Sequence, residues 1–478
     1  MEELVRCGVT RFYIAPGSRS TPLVTAVAAH DKATAIVHFD ERGTAFMALG
    51  YARASGRAAA WITTSGTALA NGLPAVIEAD LERVPMILLT ADRPPELRDT
   101  DANQTIRQPG LFGDHIRWMV DLPAPDTELD PAYVLTTVDQ AVGRSLSGPV
   151  HINCMFREPL APERVPYEPL GEHPAFVRWQ EHDRPYTSYE ASSWDPMTVA
   201  AGLEAAVRTA ERPLVILGRI GSAGLLGTSV VDSIRDGGFD LPILADITSQ
   251  VRLGSGGFPF IPSWDALLYN KSLLDRIGPD LVVQFGRSPV SKRLQQYLET
   301  ACPEEWLVVA DGDDRIDPGH RVTKRISAPP GSVFASLVTS MASRSPSDGD
   351  DSPVRSEWTD TWKRLSGAVE SWRLDVFEAG TELTEQRSAA MLSSRLPARS
   401  FLCLGSSTPV RHMDVFASWT GTRVPVCANR GASGIDGTIA TACGYADGSA
   451  RRGVVFLGDL ALLHDLNSLK AAADRDLI

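Results

Sequence analysis

TAIVHFDERGTAFMALGYARASGRAAAWITT, residues 34–64, contains in miniature the pattern on which the rest of the chain is built. Its first apolar run, TAIVHF, is short and partly β-branched, as a strand requires. The second, AAAWITT, lacks polar alternation, which marks a strand covered on both faces. Between them RGTAFMALGYARASG is long enough for a helix, and its Ala and Gly suit one packed close to a sheet. Strand, helix, strand in this order predicts a parallel sheet. Asp40 is placed to cap the helix and Glu41 falls in its first turn, where the helix dipole favours acids whatever else they do.

Working outward, the runs RFYIA, PMILLTA and GPVHINC repeat the pattern through residues 1–165. Residues 166–195 lapse into Pro, Glu, His and Trp and read as a linker. A second α/β unit spans 196–342, with the helix MTVAAGLEAAVRTA and the strands PLVILG, LPILADI, DLVVQFG and EWLVVAD. The polar, acidic, Ser- and Pro-rich stretch at 343–356 reads as another linker. A third unit, 357–478, continues through SFLCLGS, VPVCAN and GVVFLGD. The expected class is α/β, with three doubly wound parallel-sheet domains.

Bulk composition narrows the function. At 478 residues the chain is too long for one core. A formal charge of -13 argues against a nucleic-acid partner. The six cysteines are scattered with no C-x-x-C pair, as in a reduced cytoplasmic protein. The opening MEELVRCGVT has no apolar core of a signal peptide, and no apolar run approaches the roughly 20 residues of a membrane helix. The chain therefore reads as soluble, with no membrane insertion.

In open parallel sheets ligands gather at the carboxyl ends of the strands. Three glycine-bearing turns stand there: TTSGTALAN, NRGASGIDG from Asn429 to Gly437, and GDLALLHDLNSL from Gly458 to Leu469. Asp459 follows its strand directly and could hold Mg²⁺ through a carboxylate oxygen, with phosphate oxygens as further ligands. His464, Asp465 and Asn467 are as readily helix caps as ligands. Cations also collect at strand ends: Arg19, Arg93, Arg107, Lys292 with Arg293, Arg411 and Arg430. Arginine forks match carboxylates bidentately, so the set suggests substrates with several carboxylates.

Together these motifs resemble the thiamine-diphosphate enzymes of the pyruvate decarboxylase type. APGSRSTPL, HFDERG, TSGTALAN, LTADRPPEL, NQTIRQPG, SKRLQ, NRGASGIDG and GDLALLHDLNSL are similar, within that group, to the 2-succinyl-5-enolpyruvyl-6-hydroxy-3-cyclohexene-1-carboxylate synthase family. The resemblance implies thiamine diphosphate with Mg²⁺ or Mn²⁺, pyrimidine-binding, central and diphosphate-binding domains, and a homodimer or tetramer whose active site is shared between subunits. It implies that Glu41 bonds the aminopyrimidine ring. The decarboxylation of 2-oxoglutarate then yields a succinyl-semialdehyde carbanion that adds to isochorismate, in menaquinone or phylloquinone biosynthesis.

Carried over position by position, Ser18, Arg19, Arg93, Gln104, Arg411 and Arg430 join Glu41 as catalytic residues. Asn103, Lys292, Arg293 and Ser407 bind substrate. Ser433, Gly434, Ile435, Gly458, Asp459 and Leu460 contact the cofactor, and Asp459 is the first metal ligand. The family's pattern extends past the position of Ile478 and before Met1, so the third domain reads as incomplete. Two other readings stay open: another thiamine-diphosphate 2-oxoacid enzyme, of the acetohydroxyacid synthase or decarboxylase type, and a non-catalytic anion-binding α/β protein.

Overall fold

The computed structural model describes residues 1–126, 128–161, 174–189, 195–221, 228–234, 239–261, 263–274, 276–343 and 352–478. Residues 166–173 and 190–194 of the first expected linker, and 344–351 of the second, lie outside the described residues. The chain divides into two compact units: Met1–Ser192 with Asn429–Ile478, and Ser193–Ala428.

The first unit contains a six-stranded sheet of β1 (Arg11–Ile14), β2 (Thr34–Val37), β3 (Ala59–Thr63), β4 (Met86–Asp92), β5 (Trp118–Leu122) and β6 (Val150–Met155). Its order is β2-β1-β3-β4-β6-β5, with every pair parallel. Successive residues face opposite sides, and both sides are covered. Tyr13, Trp61, Met86 and Leu88 belong to one buried cluster, while Phe12, Ile62, Ile87 and Leu89 belong to another. That double burial is why these strands carry no polar alternation.

The second unit contains β7 (Pro213–Leu217), β8 (Ile243–Ala245), β9 (Leu281–Phe285), β10 (Glu305–Ala310) and β11 (Lys324–Ser327). They form a parallel sheet in the order β11-β10-β9-β7-β8. A third sheet includes the parallel pair β12 (Ser400–Leu404) and β13 (Val426–Ala428). The last strand, β14 (Arg452–Phe456), lies in the first unit. Among the described residues no helix is long and apolar enough to cross a membrane.

Helix Glu41–Ser55 begins as the sequence predicts. The Asp40 side chain accepts hydrogen bonds from the backbone N–H groups of Arg42 and Gly43, and Gly56 ends the helix at φ 68°. Its partner in the first unit is helix Thr438–Ser449, and the two backbones meet through glycines. A Cβ added to Gly50 would stand 2.1 Å from the Thr441 carbonyl oxygen, and one on Gly444 would stand 1.8 Å from that of Met47.

One buried group makes stability depend on pH. His151, on β6, is fully buried and shares a 2.7 Å hydrogen bond with Thr90 Oγ1. Thr90 itself donates to Asn153 Oδ1, so it accepts from His151 Nε2–H, and Nδ1 is left with no partner. Burial lowers the imidazole pKa to about 4. Between about pH 6.5 and 4 the unfolded chain therefore binds a proton that the folded chain refuses. This contribution is complete above pH 6.5 and declines by about 3 kcal/mol as pH falls through that window. Urea midpoints should show the decline in the parent and a flatter profile in His151→Gln.

Candidate functional site

The strand order of the first unit reverses between the neighbouring strands β1 and β3, and this switch point is where a ligand crevice opens in such sheets. Ser18, Arg19 and Ser20 form a short 3₁₀ turn just after β1. Gly17 before them lies so close to the β3 end that a Cβ would fall 2.3 Å from Thr64 Cβ. Ser18 is exposed and Arg19 is buried. Arg19 donates to the Phe156 carbonyl at 2.9 Å and to Glu158 at 3.3 Å, while its Nε is buried without a partner.

Arg93 follows β4 and is also buried. Its guanidinium donates to Ser65 Oγ and, at 2.8 Å, to the Gln104 carbonyl. Burial, and then the like charge of Arg19, lower its pKa. Two desolvated guanidiniums raising each other's energy are relieved by an anion. Gln104 is held by a 2.8 Å bond from Nε2 to the Ser65 carbonyl and adopts φ 56°. Asn103 and Arg107 are exposed, and Arg107 pairs with Asp99 at 3.4 Å.

Glu41 is the first residue of its helix, half-buried, and its carboxylate has no hydrogen-bond or ion-pair partner among the described residues. Its neighbours are firmly held by the loop at 464–467 of the same chain. Asn467 donates to Asp40 Oδ2 at 2.7 Å, and Arg42 donates to the His464 carbonyl at 2.7 Å. Burial opposes ionisation of Asp40, but the bonds from Asn467 and the Gly43 N–H outweigh it, and its pKa is lowered.

For Asp465 the two readings left open resolve toward capping. Asp465 is buried and accepts from Ile439 N at 2.7 Å and Ala440 N at 3.0 Å, the first-turn donors of helix Thr438–Ser449. Burial raises its pKa despite those bonds. Asp459 is different. It is exposed at the start of helix Asp459–His464 and, among the described residues, accepts only from the N–H of its neighbour Leu460, at 2.8 Å. A Cβ on Gly458 would meet open space, and Leu460 is exposed.

Upstream, Ser433 sits at φ 59°, Gly434 packs tightly on Asp436, and Ile435 stands exposed. The half-buried Arg430 lies just before them. Sequence reasoning missed what holds this turn. Glu78 accepts from Gly431 N at 3.0 Å and Ala432 N at 2.7 Å. Glu78 occupies the buried face of helix Leu73–Glu82 with Ala75, Val76 and Ala79, so helical periodicity was the available signal.

In the second unit, Lys292 and Arg293 open helix Lys292–Ala301. Arg293 donates through Nε to Asp265 at 2.8 Å and stacks on the Tyr269 ring at 4.1 Å. Ser407, at φ 74°, directly precedes helix Thr408–Phe416, which carries Arg411, and its side chain makes no capping hydrogen bond. Arg293 and Arg411 line one cavity of 620 Å³ with Tyr269, Trp372, His412 and Phe416 among its walls. The exposed Arg411 has no hydrogen-bond or ion-pair partner among the described residues. Gln104, Ser407 and Ser433 are three of the expected site residues, and all are non-glycine residues with positive φ. Such strain clusters where function requires it.

Comparison with known families agrees with this geometry. Residues 1–111 match the family model "Thiamine pyrophosphate enzyme, N-terminal TPP binding domain", and residues 173–404 match "Middle domain of thiamine pyrophosphate". A 2-succinyl-5-enolpyruvyl-6-hydroxy-3-cyclohexene-1-carboxylate synthase from Rubrobacter xylanophilus is 48% identical over 98% of this chain and 79% of its own length. The chain belongs to this synthase family. Like-named proteins of Salinibacter ruber and Chlorobium phaeobacteroides are 44% and 39% identical, over 100% and 98% of this chain and 80% and 78% of their own. The chain is thus that of a thiamine-diphosphate-dependent enzyme of the synthase family.

The residues present fit that cofactor. Glu41 offers an unpaired carboxylate, Asp459 an exposed one, and Gly458 an open turn between the end of β14 and that acid.

Proposed function

We propose that the enzyme decarboxylates 2-oxoglutarate and adds the four-carbon remainder to isochorismate, giving 2-succinyl-5-enolpyruvyl-6-hydroxy-3-cyclohexene-1-carboxylate. The observation that carries this reading is Arg411, a guanidinium without a partner among the described residues, in a cavity with aromatic walls and a second arginine. A substrate with an apolar body and carboxylates at its ends suits such a cavity, because a charge-assisted fork supplies both attraction and orientation. The buried pair Arg19 and Arg93 supports the same class of substrate.

In this proposal thiamine diphosphate, when bound, supplies the carbon nucleophile and the electron sink for decarboxylation. Glu41 holds a proton at its carboxylate against the aminopyrimidine ring, and Asp459 holds Mg²⁺ or Mn²⁺. Ser433, Gly434, Ile435, Gly458 and Leu460 shape the cofactor's surroundings. Arg19, Arg93, Arg411 and Arg430 bind and orient carboxylates, assisted by Ser18, Asn103, Gln104, Lys292, Arg293 and Ser407. The homodimer or tetramer with a site shared between subunits belongs to the same proposal, and sedimentation of the purified protein tests it.

Arg411→Ala should lower kcat/KM for a dicarboxylate substrate by about 10- to 100-fold, the worth of one charge-assisted hydrogen bond. Arg411→Lys should restore part of it, and turnover of pyruvate, if any, should not change. Steady-state assays with 2-oxoglutarate or pyruvate, each with isochorismate, decide the reading. Turnover of pyruvate but not of 2-oxoglutarate overturns it.

A further inference from the structure

We infer that Glu78, with Arg53, is a positioning residue that clamps the turn at 429–432 and thereby aims Arg430. Both carboxylate oxygens of Glu78 are committed to this turn, one to Gly431 N and the other to Ala432 N. Arg53 donates to Glu78 Oε1 at 3.1 Å and to Asn429 Oδ1 at 2.7 Å, so one guanidinium ties the start of the turn to the acid that holds its middle. Asn429 is fixed from its other side by a 3.0 Å bond from Nδ2 to Thr441 Oγ1. The residues on both sides of Arg430 are therefore anchored.

Glu78 and Arg53 are nearly inaccessible, with side chains 2% and 9% exposed. In such surroundings each charge depends on the other. Gly431 rests directly on helix Leu73–Glu82: a Cβ there would lie 2.9 Å from Leu81 Cβ and 3.1 Å from the Glu78 carbonyl oxygen. The turn is thus registered on the helix by steric fit and by two hydrogen bonds. Helix Glu41–Ser55 carries Glu41 at one end and Arg53 near the other, so the clamp also joins that helix to the turn. The role given to Arg430 rests on the proposed function above, whereas the clamp rests on the hydrogen bonds alone.

Glu78→Gln keeps the volume but turns one acceptor into a donor facing a backbone N–H, and removes the charge opposite Arg53. Hydrogen–deuterium exchange on the full chain should show residues 429–434 exchanging about 10-fold faster or more, the loss of one to two hydrogen bonds' worth of protection, with helix Glu41–Ser55 unchanged. In the assay with 2-oxoglutarate and isochorismate, kcat/KM should fall by about 10-fold, and adding Arg430→Ala should cost little more, because coupled residues are not additive. A merely structural role gives losses that multiply. Unchanged exchange at 429–434, or multiplying losses, overturns the inference. If Glu78→Gln does not fold, Arg53→Lys decides by the same two readouts, since a lysine lacks the planar fork that holds Glu78 and Asn429 together. If the parent chain shows no turnover, the functional reading fails, and the exchange data still judge the clamp.

Discussion

Glu41→Gln should abolish nearly all turnover of 2-oxoglutarate with isochorismate, a loss of about 10²- to 10⁴-fold in kcat, and leave the fold intact. The two halves of this expectation have separate grounds. The carboxylate has no partner among the described residues, so replacing one oxygen by an amide breaks no internal bond. Removing its charge from the first turn of a helix costs about 0.3–1 kcal/mol at most. Asp40, which does cap the helix, is untouched, and Asn467 and Arg42 still anchor the turn. A carboxamide cannot exchange a proton with a ring nitrogen, so acid–base work at this position stops. Circular dichroism and a urea titration check the fold, and steady-state kinetics check the chemistry. A Glu41→Gln variant with parental kcat would mean that this carboxylate takes no part in the acid–base work.

The two units differ in how their sites could be read from sequence. Strands buried on both faces announce themselves: AAWIT, MILLTAD and LVVQF are buried at every position and mostly apolar. The strands that sequence reasoning misses are β5, WMVDL, and β11, KRIS, and both lie at sheet edges. An edge strand is half-exposed, so its pattern carries charge and loses the continuous apolar signal. Glu41 and Asp459 could be singled out as candidates because a strand end followed by an acid is a local pattern. Glu78 was not, because its role depends on a turn more than 350 positions away in the chain, Gly431. Asp465 illustrates the reverse case. Its place near Asp459 left capping and ligation open, and burial with two backbone N–H donors makes it a cap.

Gly444→Ala should destabilise the first unit by about 3 kcal/mol, although alanine is the better helix former. The sign is decided by what the new methyl group meets. At Gly444 it would stand 1.8 Å from the Met47 carbonyl oxygen, a backbone atom of helix Glu41–Ser55 that cannot rotate away. At Gly50 the reciprocal clash is with Thr441, at 2.1 Å, so neither helix can shift toward a gap on the other. The intrinsic gain of Ala over Gly is only about 1 kcal/mol. Gly367, in helix Pro353–Ala379, supplies the control, because a Cβ there meets nothing within 4 Å. Gly367→Ala should therefore stabilise by about 0.5–1 kcal/mol, and the same chemical change gives opposite signs at two helical sites. Urea titrations measure both, and a Gly444→Ala protein as stable as its parent would mean that the helices do not pack backbone to backbone. The packing also has a consequence for the site. Glu41 starts one of these helices and Gly437 caps the other, just after Ser433, Gly434 and Ile435. Forcing the helices apart disturbs the segments at the start of both, so residual folded Gly444→Ala protein should bind thiamine diphosphate more weakly than the parent, which equilibrium titration of the cofactor measures.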